Sequence, residues 1–246
     1  MIDDLNWFLF FEPIMEGETV VWWQFLQVGL YFTLGLSLAA GFMAFWIGSL
    51  VGILRTTSST FFCLLGNLYV EVFRNVPLIV QFFLWYFVVP ELVPAIKTWS
   101  IEQDPTLVQF IASVVCLGLY TGARVAEQVK SGILSLPSGQ KDAGYALGLT
   151  QAQTYQHVIM PMAYRIIIPP LTSEAMNMIK NSSVALTIGL TELTFRTQEM
   201  GETTFAFLEA YVAATCIYVV VSFTVNRIMV FIEKSFTVPG YISENQ

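Results

Sequence analysis

Residues 138–163 read SGQKDAGYALGLTQAQTYQHVIMPMA, a polar island with long apolar segments on both sides. After Gly139 the run QKDAGYALGL suits a short helix: Asp142 puts an acid in its first turn, and Ala143, Ala146 and Leu147 recur at helical spacing. Gly148 supplies the permissive backbone at which such a helix stops and turns. A second short helix from about Thr150 would carry Tyr155, Val158 and Ile159 on one apolar stripe, with Pro161 limiting how far its ladder runs. The island therefore reads as two short amphipathic helices joined by a glycine bend.

The flanking segments set the class. The 246 residues are 55% hydrophobic and only 12% charged, with a mean hydropathy of +0.64, which is too little charge for a soluble surface of this size. A net charge of −7 speaks against nucleic acid as a partner. Cys63, Cys116 and Cys216 lie far apart inside apolar runs and read as small buried hydrophobes, so neither a disulfide nor a metal site is expected. The start, MIDDLNWFLF, has no basic region ahead of its apolar residues and no small-residue cleavage site, so the expectation is a retained N-terminus.

Five apolar segments follow in order. Thr19 to Leu54 carries no charge and is long enough to cross the roughly 30 Å hydrocarbon layer, which needs about 20 residues. The first span is thus about 22–54. A second runs from about Phe61 to Val89, interrupted by Glu71, Arg74 and Pro77, before Pro90, Pro94 and Pro105 bracket an acidic loop. A third runs from about Leu107 to Gly132, with Arg124 and Glu127 near its far end. The fourth, Arg165 to Leu190, holds Pro169-Pro170, Glu174 and Lys180, and suits a bent or broken helix facing protein or water. The fifth, about Phe205 to Phe231, is nearly clean, with Glu209 near its start.

Basic residues orient the spans. The N-terminal tail and the loops 90–106 and 191–203 hold only Lys97 and Arg196, whereas the other side collects Arg55, Lys130, Lys141, Arg165, Arg227 and Lys234. Positive charge stays in the cytoplasm, so the expected arrangement is N-terminus outside, island and C-terminus inside.

No G-x-x-x-x-G-K-[ST] run occurs, so ATP phosphates have no Gly-rich cradle in this chain. His157 is the sole histidine, which excludes a multi-histidine metal site and leaves no catalytic base within the spans; it reads as a solvated or docking residue. The informative residues are charges placed where charge is expensive, about 2.5–3.5 kcal/mol at the centre of a span on insertion scales. Glu71 and Arg74 share one helix face, and so do Arg124 and Glu127; mutual neutralisation is the plain reading of each pair, and Lys130 lies one turn beyond Glu127. Asn177, Lys180 and Ser183 recur every three residues as a polar stripe that packing alone does not explain. Together Arg124, Glu71, Arg74, Asn177, Lys180 and Ser183 are the candidate pathway or substrate residues.

Asp142-Ala143-Gly144, then Gly148, then Val158-Ile159-Met160-Pro161 resembles the cytoplasmic loop of membrane subunits of bacterial ABC importers. That pattern is Glu-Ala-Ala, a glycine four residues after its third position, and a closing Ile/Leu-Leu-Pro; here Asp, Gly and Met depart from it. SLPSGQ (Ser135 to Gln140) and EVFRNVPLIVQ (Glu71 to Gln81) are similar to the polar amino-acid branch of that family, and the likeness runs through roughly 24–230. Where that branch commonly carries tyrosine three residues before the glutamate matched by Glu127, this chain has Arg124, and LYTGARVAEQVKSGILSLPSGQ is similar to its glutamate/aspartate importers.

The resemblance implies an all-α integral membrane fold of five transmembrane helices with two short coupling helices between spans three and four. It divides the chain into an external segment 1–21, a transmembrane domain 22–234 with its coupling loop at 138–163, and a cytoplasmic tail 235–246. It implies a non-catalytic permease subunit in a multi-pass bacterial plasma membrane, importing acidic amino acids by alternating access. Asp142, Ala143, Gly144, Gly148 and Pro161 would meet a partner ATPase that carries ATP and magnesium. The implied partners are a second, related permease subunit, two ATPase subunits and an external binding protein. Two alternatives stay open: the same machinery for glutamine or a basic amino acid, and an ion-coupled carrier or channel working without ATP.

Overall fold

Pro77 removes a backbone donor and restricts Val76 before it, and in the computed structural model, which describes residues 6–14 and 19–236, one helix ends at Asn75 and the next begins at Leu78. The expected single second span is thus a broken one. The described residues form helices, with an isolated bridge between Pro13 and Val21 and no strand. In order these are a 3-10 turn Trp7–Phe11, α1 Trp22–Leu54, α2 Thr60–Asn75, α3 Leu78–Phe83, a π turn Leu84–Val88, α4 Val89–Leu92, α5 Pro94–Glu102 and α6 Pro105–Leu134. The island follows as α7 Ser138–Ala146, α8 Gln151–Thr154 and a π turn Tyr155–Ile159. The chain continues as α9 Met160–Ser182, a 3-10 turn Ser183–Ile188, α10 Leu193–Thr204 and α11 Phe207–Phe236.

Among the described residues Trp22–Leu54, Pro105–Leu134 and Phe207–Ser235 are long and apolar enough to cross a membrane, and α2 with Leu78–Leu92 makes a fourth if the broken pair counts as one. The expected fourth segment forms α9, whose charges keep it below that hydropathy. Pro169 and Pro170 do not break it; the α-helical ladder yields only at Ser183, in a 3-10 turn closed by Gly189 in the left-handed region.

Contacts divide the chain into two compact units, each built from three stretches: the described parts of 1–42, 76–118 and 177–223, and those of 43–75, 119–176 and 224–246. In the first, Leu9, Phe10, Trp22, Leu26, Leu193, Met200 and Ala210 form the core. Glu192, fully buried, caps α10 by accepting from the N–H groups of Thr194 and Phe195 at 3.0 and 2.9 Å and from the Tyr218 hydroxyl at 3.0 Å. Burial pushes its carboxyl above the usual range, against those donors, which pull it down.

In the second unit Val125, Val129, Ile133, Ile159, Ala163 and Ile167 make the core. Gly48 and Gly52 let α1 approach α6 closely: a Cβ at either position would fall 2.6 Å from Val125 or Val129. Small residues four apart permit such contact where lipid supplies no hydrophobic drive between helices.

Candidate functional site

On α6, Tyr120, Arg124, Glu127 and Gln128 stand at positions i, i+4, i+7 and i+8, one helical face. That face, Arg74 from the last turn of α2 and Glu174 from α9 line a cavity of about 330 Å³ in the second unit. Arg74 suits its place, since cations are favoured at a helix C-terminus.

At this cavity the charges pair between segments and not along one helix. Arg124 Nε donates to Glu174 Oε2 at 2.8 Å, and Gln128 Nε2 donates to Glu174 Oε1 at 3.1 Å. Arg55 Nη2 donates to Glu127 Oε1 at 2.6 Å, while Arg74 Nη1 stands 3.7 Å from the same oxygen. The expected Glu71–Arg74 and Arg124–Glu127 neutralisations are therefore corrected. Glu71 is exposed and makes no ion pair among the described residues, and Glu127 answers Arg55 rather than Lys130. An i,i+3 spacing permits a pair worth a few tenths of a kcal/mol, about 0.2–0.5, which a shorter bond to a neighbouring helix outweighs.

The lining has two guanidiniums and two carboxylates, and Arg55, which pairs with Glu127 without lining the cavity, makes a third guanidinium in the cluster. With Glu127 held closely by Arg55 and Glu174 by Arg124, Arg74 keeps only the longer 3.7 Å pairing with Glu127, its side chain 51% exposed, and these five groups carry one positive charge in excess. Gln128 Oε1 is buried without a hydrogen-bond partner among the described residues. A planar fork beside an open acceptor can take a carboxylate and an ammonium, the two ends of an amino acid.

Of the sequence candidates, the structure brings Arg74 and Arg124 to this cavity and leaves Glu71 outside its lining. Lys180 and Ser183 line a different cavity of about 300 Å³ in the first unit, with Thr194, Tyr211, Ala214, Thr215 and Tyr218. Asn177, half-buried, lines neither. Sequence reasoning passed over Tyr120, Gln128 and Arg55. Glu174 was visible as a carboxylate in an expensive place, but no local spacing names its partner 50 residues away.

The island has its glycine bend. Gly148 sits at φ +78°, its N–H bonding Tyr145 O at 2.9 Å and that of Leu149 bonding Gly144 O at 3.1 Å, the two-bond closure that favours glycine. Thr150 opens α8 with a capping box to Gln153. The second island helix is not a separate one: Pro161 is the second residue of α9, and the ladder it lacks a donor for adjusts in the π turn just before it. Asp142, Ala143, Gly148, His157 and Pro161 are exposed, and Gly144 is buried against Thr154.

Membrane-length apolar helices, a charged cavity and an exposed polar island together mark a membrane transport component. Residues 44–238 match the family described as "Binding-protein-dependent transport system inner membrane component", and the chain belongs to that family. It is 45% identical over 239 residues to the glutamate/aspartate import permease protein GltJ of Escherichia coli (strain K12), covering 96% of this chain and 97% of that one. It is 32% identical to the glutamine transport system permease protein GlnP of the same strain, over 81% of this chain and 85% of that one. Among solved structures it is similar to the crystal structure of an amino acid ABC transporter with histidines, with TM-score 0.72 and 27% identity over 89% of this chain and all of that one.

Proposed function

We propose that this chain is a permease subunit of an ATP-driven, binding-protein-dependent importer of acidic amino acids, with glutamate and aspartate as substrates. The observation that carries the reading is the charge balance of the ion-pair cluster at the cavity: with Arg55, which pairs with Glu127 from behind the lining, three guanidiniums against two carboxylates leave one positive charge. Glutamate and aspartate bring one net negative charge, whereas a zwitterion such as glutamine brings none. In this reading Arg74 and the outer edge of Arg124 take carboxylate, and Gln128 Oε1 takes the α-ammonium. The 45% identity to a glutamate/aspartate import permease supports the same substrates.

Five passes with the N-terminus outside rest on the five apolar segments of the sequence, each bounded by polar or charged residues. Arg55, Lys130, Lys141, Arg165, Arg227 and Lys234 then lie on the cytoplasmic side and Lys97 and Arg196 outside, as the positive-inside rule asks. Residues 22–234 form the transmembrane domain and 138–163 its coupling loop, with Asp142, Ala143, Gly144, Gly148 and Pro161 meeting the ATPase; the tail 235–246 lies almost wholly outside the described residues. Asn177, Lys180 and Ser183 belong to the pathway on the strength of the second cavity, which Lys180 and Ser183 line. Partners are a related permease subunit, two ATPase subunits that bind ATP and magnesium, and an external binding protein, in a bacterial plasma membrane.

The test is reconstitution of the complete importer in proteoliposomes with radiolabelled glutamate, aspartate, glutamine and arginine. Uptake of the two acidic amino acids, dependent on ATP and on the ATPase subunits, is expected. A preference for glutamine or arginine overturns the substrate, and uptake without the ATPase overturns the mechanism.

A further inference from the structure

The island reaches the cavity through one short chain of contacts, all within the second unit. Tyr155 opens the π turn at which α8 passes into α9, and its hydroxyl donates to the backbone oxygen of Thr56 at 3.0 Å and stands 3.3 Å from Thr56 Oγ1. Thr56 follows Arg55 directly, in the turn that closes α1. The Arg55 side chain is 6% exposed; its Nε donates to Asn67 Oδ1 on α2 at 2.8 Å and its Nη2 to Glu127 at 2.6 Å. Its Nη1 is buried with no hydrogen-bond partner among the described residues. A buried guanidinium left partly unsatisfied is costly, and it is the kind of group that a second arrangement would satisfy better.

We infer that Arg55 is a positioning residue that sets the charge of the cavity, and that Tyr155 makes its position follow the island. The inference rests on the cavity being the site of an acidic amino acid. Glu127 stands between two cations: while Arg55 holds it, the Arg74 fork is open to an anion. When the island shifts, Tyr155 draws on the turn at Thr56, Arg55 withdraws, and the Glu127 carboxylate passes to Arg74 across the present 3.7 Å. That neutralises the surplus positive charge and releases the substrate. By linkage, an anion on Arg74 holds Glu127 on Arg55. No group is made or broken covalently; one carboxylate changes partner.

The test uses the complex of both membrane subunits with the ATPase subunits, for equilibrium binding of radiolabelled aspartate, and the same complex in proteoliposomes with the binding protein, for ATP hydrolysed per substrate transported. Arg55→Gln frees Glu127 for Arg74 and should raise the aspartate dissociation constant roughly tenfold or more, the loss of one charge-assisted contact. Arg55→Gln with Glu127→Gln should recover affinity to within about threefold, because Arg74 is again open. Tyr155→Phe removes only a hydroxyl and should leave aspartate affinity within about twofold while raising the ATP spent per substrate severalfold. A purely structural Arg55 would change the amount of complex recovered and give no rescue of affinity by the second substitution. Unchanged affinity in Arg55→Gln, failed rescue in the double variant, or an unchanged ratio in Tyr155→Phe each overturns the inference; if Arg55→Gln does not accumulate, the Tyr155→Phe ratio decides. Failure of the substrate reading is distinguishable, since there the unaltered complex neither binds aspartate nor transports it.

Discussion

Arg124 donates from Nε to Glu174 Oε2 at 2.8 Å, tying α6 to α9 beside the cavity. The carboxylate is 9% exposed and the guanidinium 38%, so the pair is half in water on the arginine side. Replacing Glu174 by Gln removes a charge-assisted bond worth about 1.5–3 kcal/mol, reduced by solvent screening at the arginine. The expected result is a fall in melting midpoint of about 2–4 °C per kcal/mol lost. Arg124→Gln combined with Glu174→Gln should recover the midpoint but not the binding of acidic amino acids. A double variant that binds aspartate as well as the unaltered protein would show Arg124 to be a strut only.

Arg74 carries the surplus charge, and Arg74→Gln should raise the dissociation constant for glutamate and aspartate about 10- to 150-fold. Arg74→Lys should fall between, because a point charge replaces a two-pronged fork. Equal affinity for aspartate in all three proteins, measured on the purified complex, would remove Arg74 from the site.

Gly148 at φ +78° occupies a region that costs an L-residue about 1–2 kcal/mol, and a β-branched one more. Gly148→Val should therefore distort the bend between α7 and α8 while membrane insertion stays normal. Uptake per ATP hydrolysed should drop severalfold in proteoliposomes. Normal coupling in this variant would take the bend out of the coupling route.

Topology is open to a labelling experiment in a background freed of Cys63, Cys116 and Cys216. Ser100→Cys, at the end of α5, should react with a membrane-impermeant thiol reagent added outside intact cells, and Gln151→Cys, at the start of α8, should react only after permeabilisation. The reverse pattern would turn the chain over and put the island out of reach of a cytoplasmic ATPase.

Local chemistry alone determined much of this protein. A charge-free run from Thr19 to Leu54 has few alternatives to a long helix, Gly148 and Thr150 carry their own end signals for α7 and α8, and charges inside apolar segments mark where function is to be sought. Those signals are legible because helix caps and hydrophobic length depend on residues within a turn or two of each other. The pairing of charges was not legible. Arg55 with Glu127 and Arg124 with Glu174 are separated by 72 and 50 residues, and same-helix spacing suggested other partners that the structure declines. Likewise Pro77 breaks a span while Pro161 and Pro169-Pro170 stay within helix, although each lacks the same N–H. What decides these cases is which neighbouring helix offers a carboxylate or a close-packed face at that height, and only the tertiary structure supplies those neighbours.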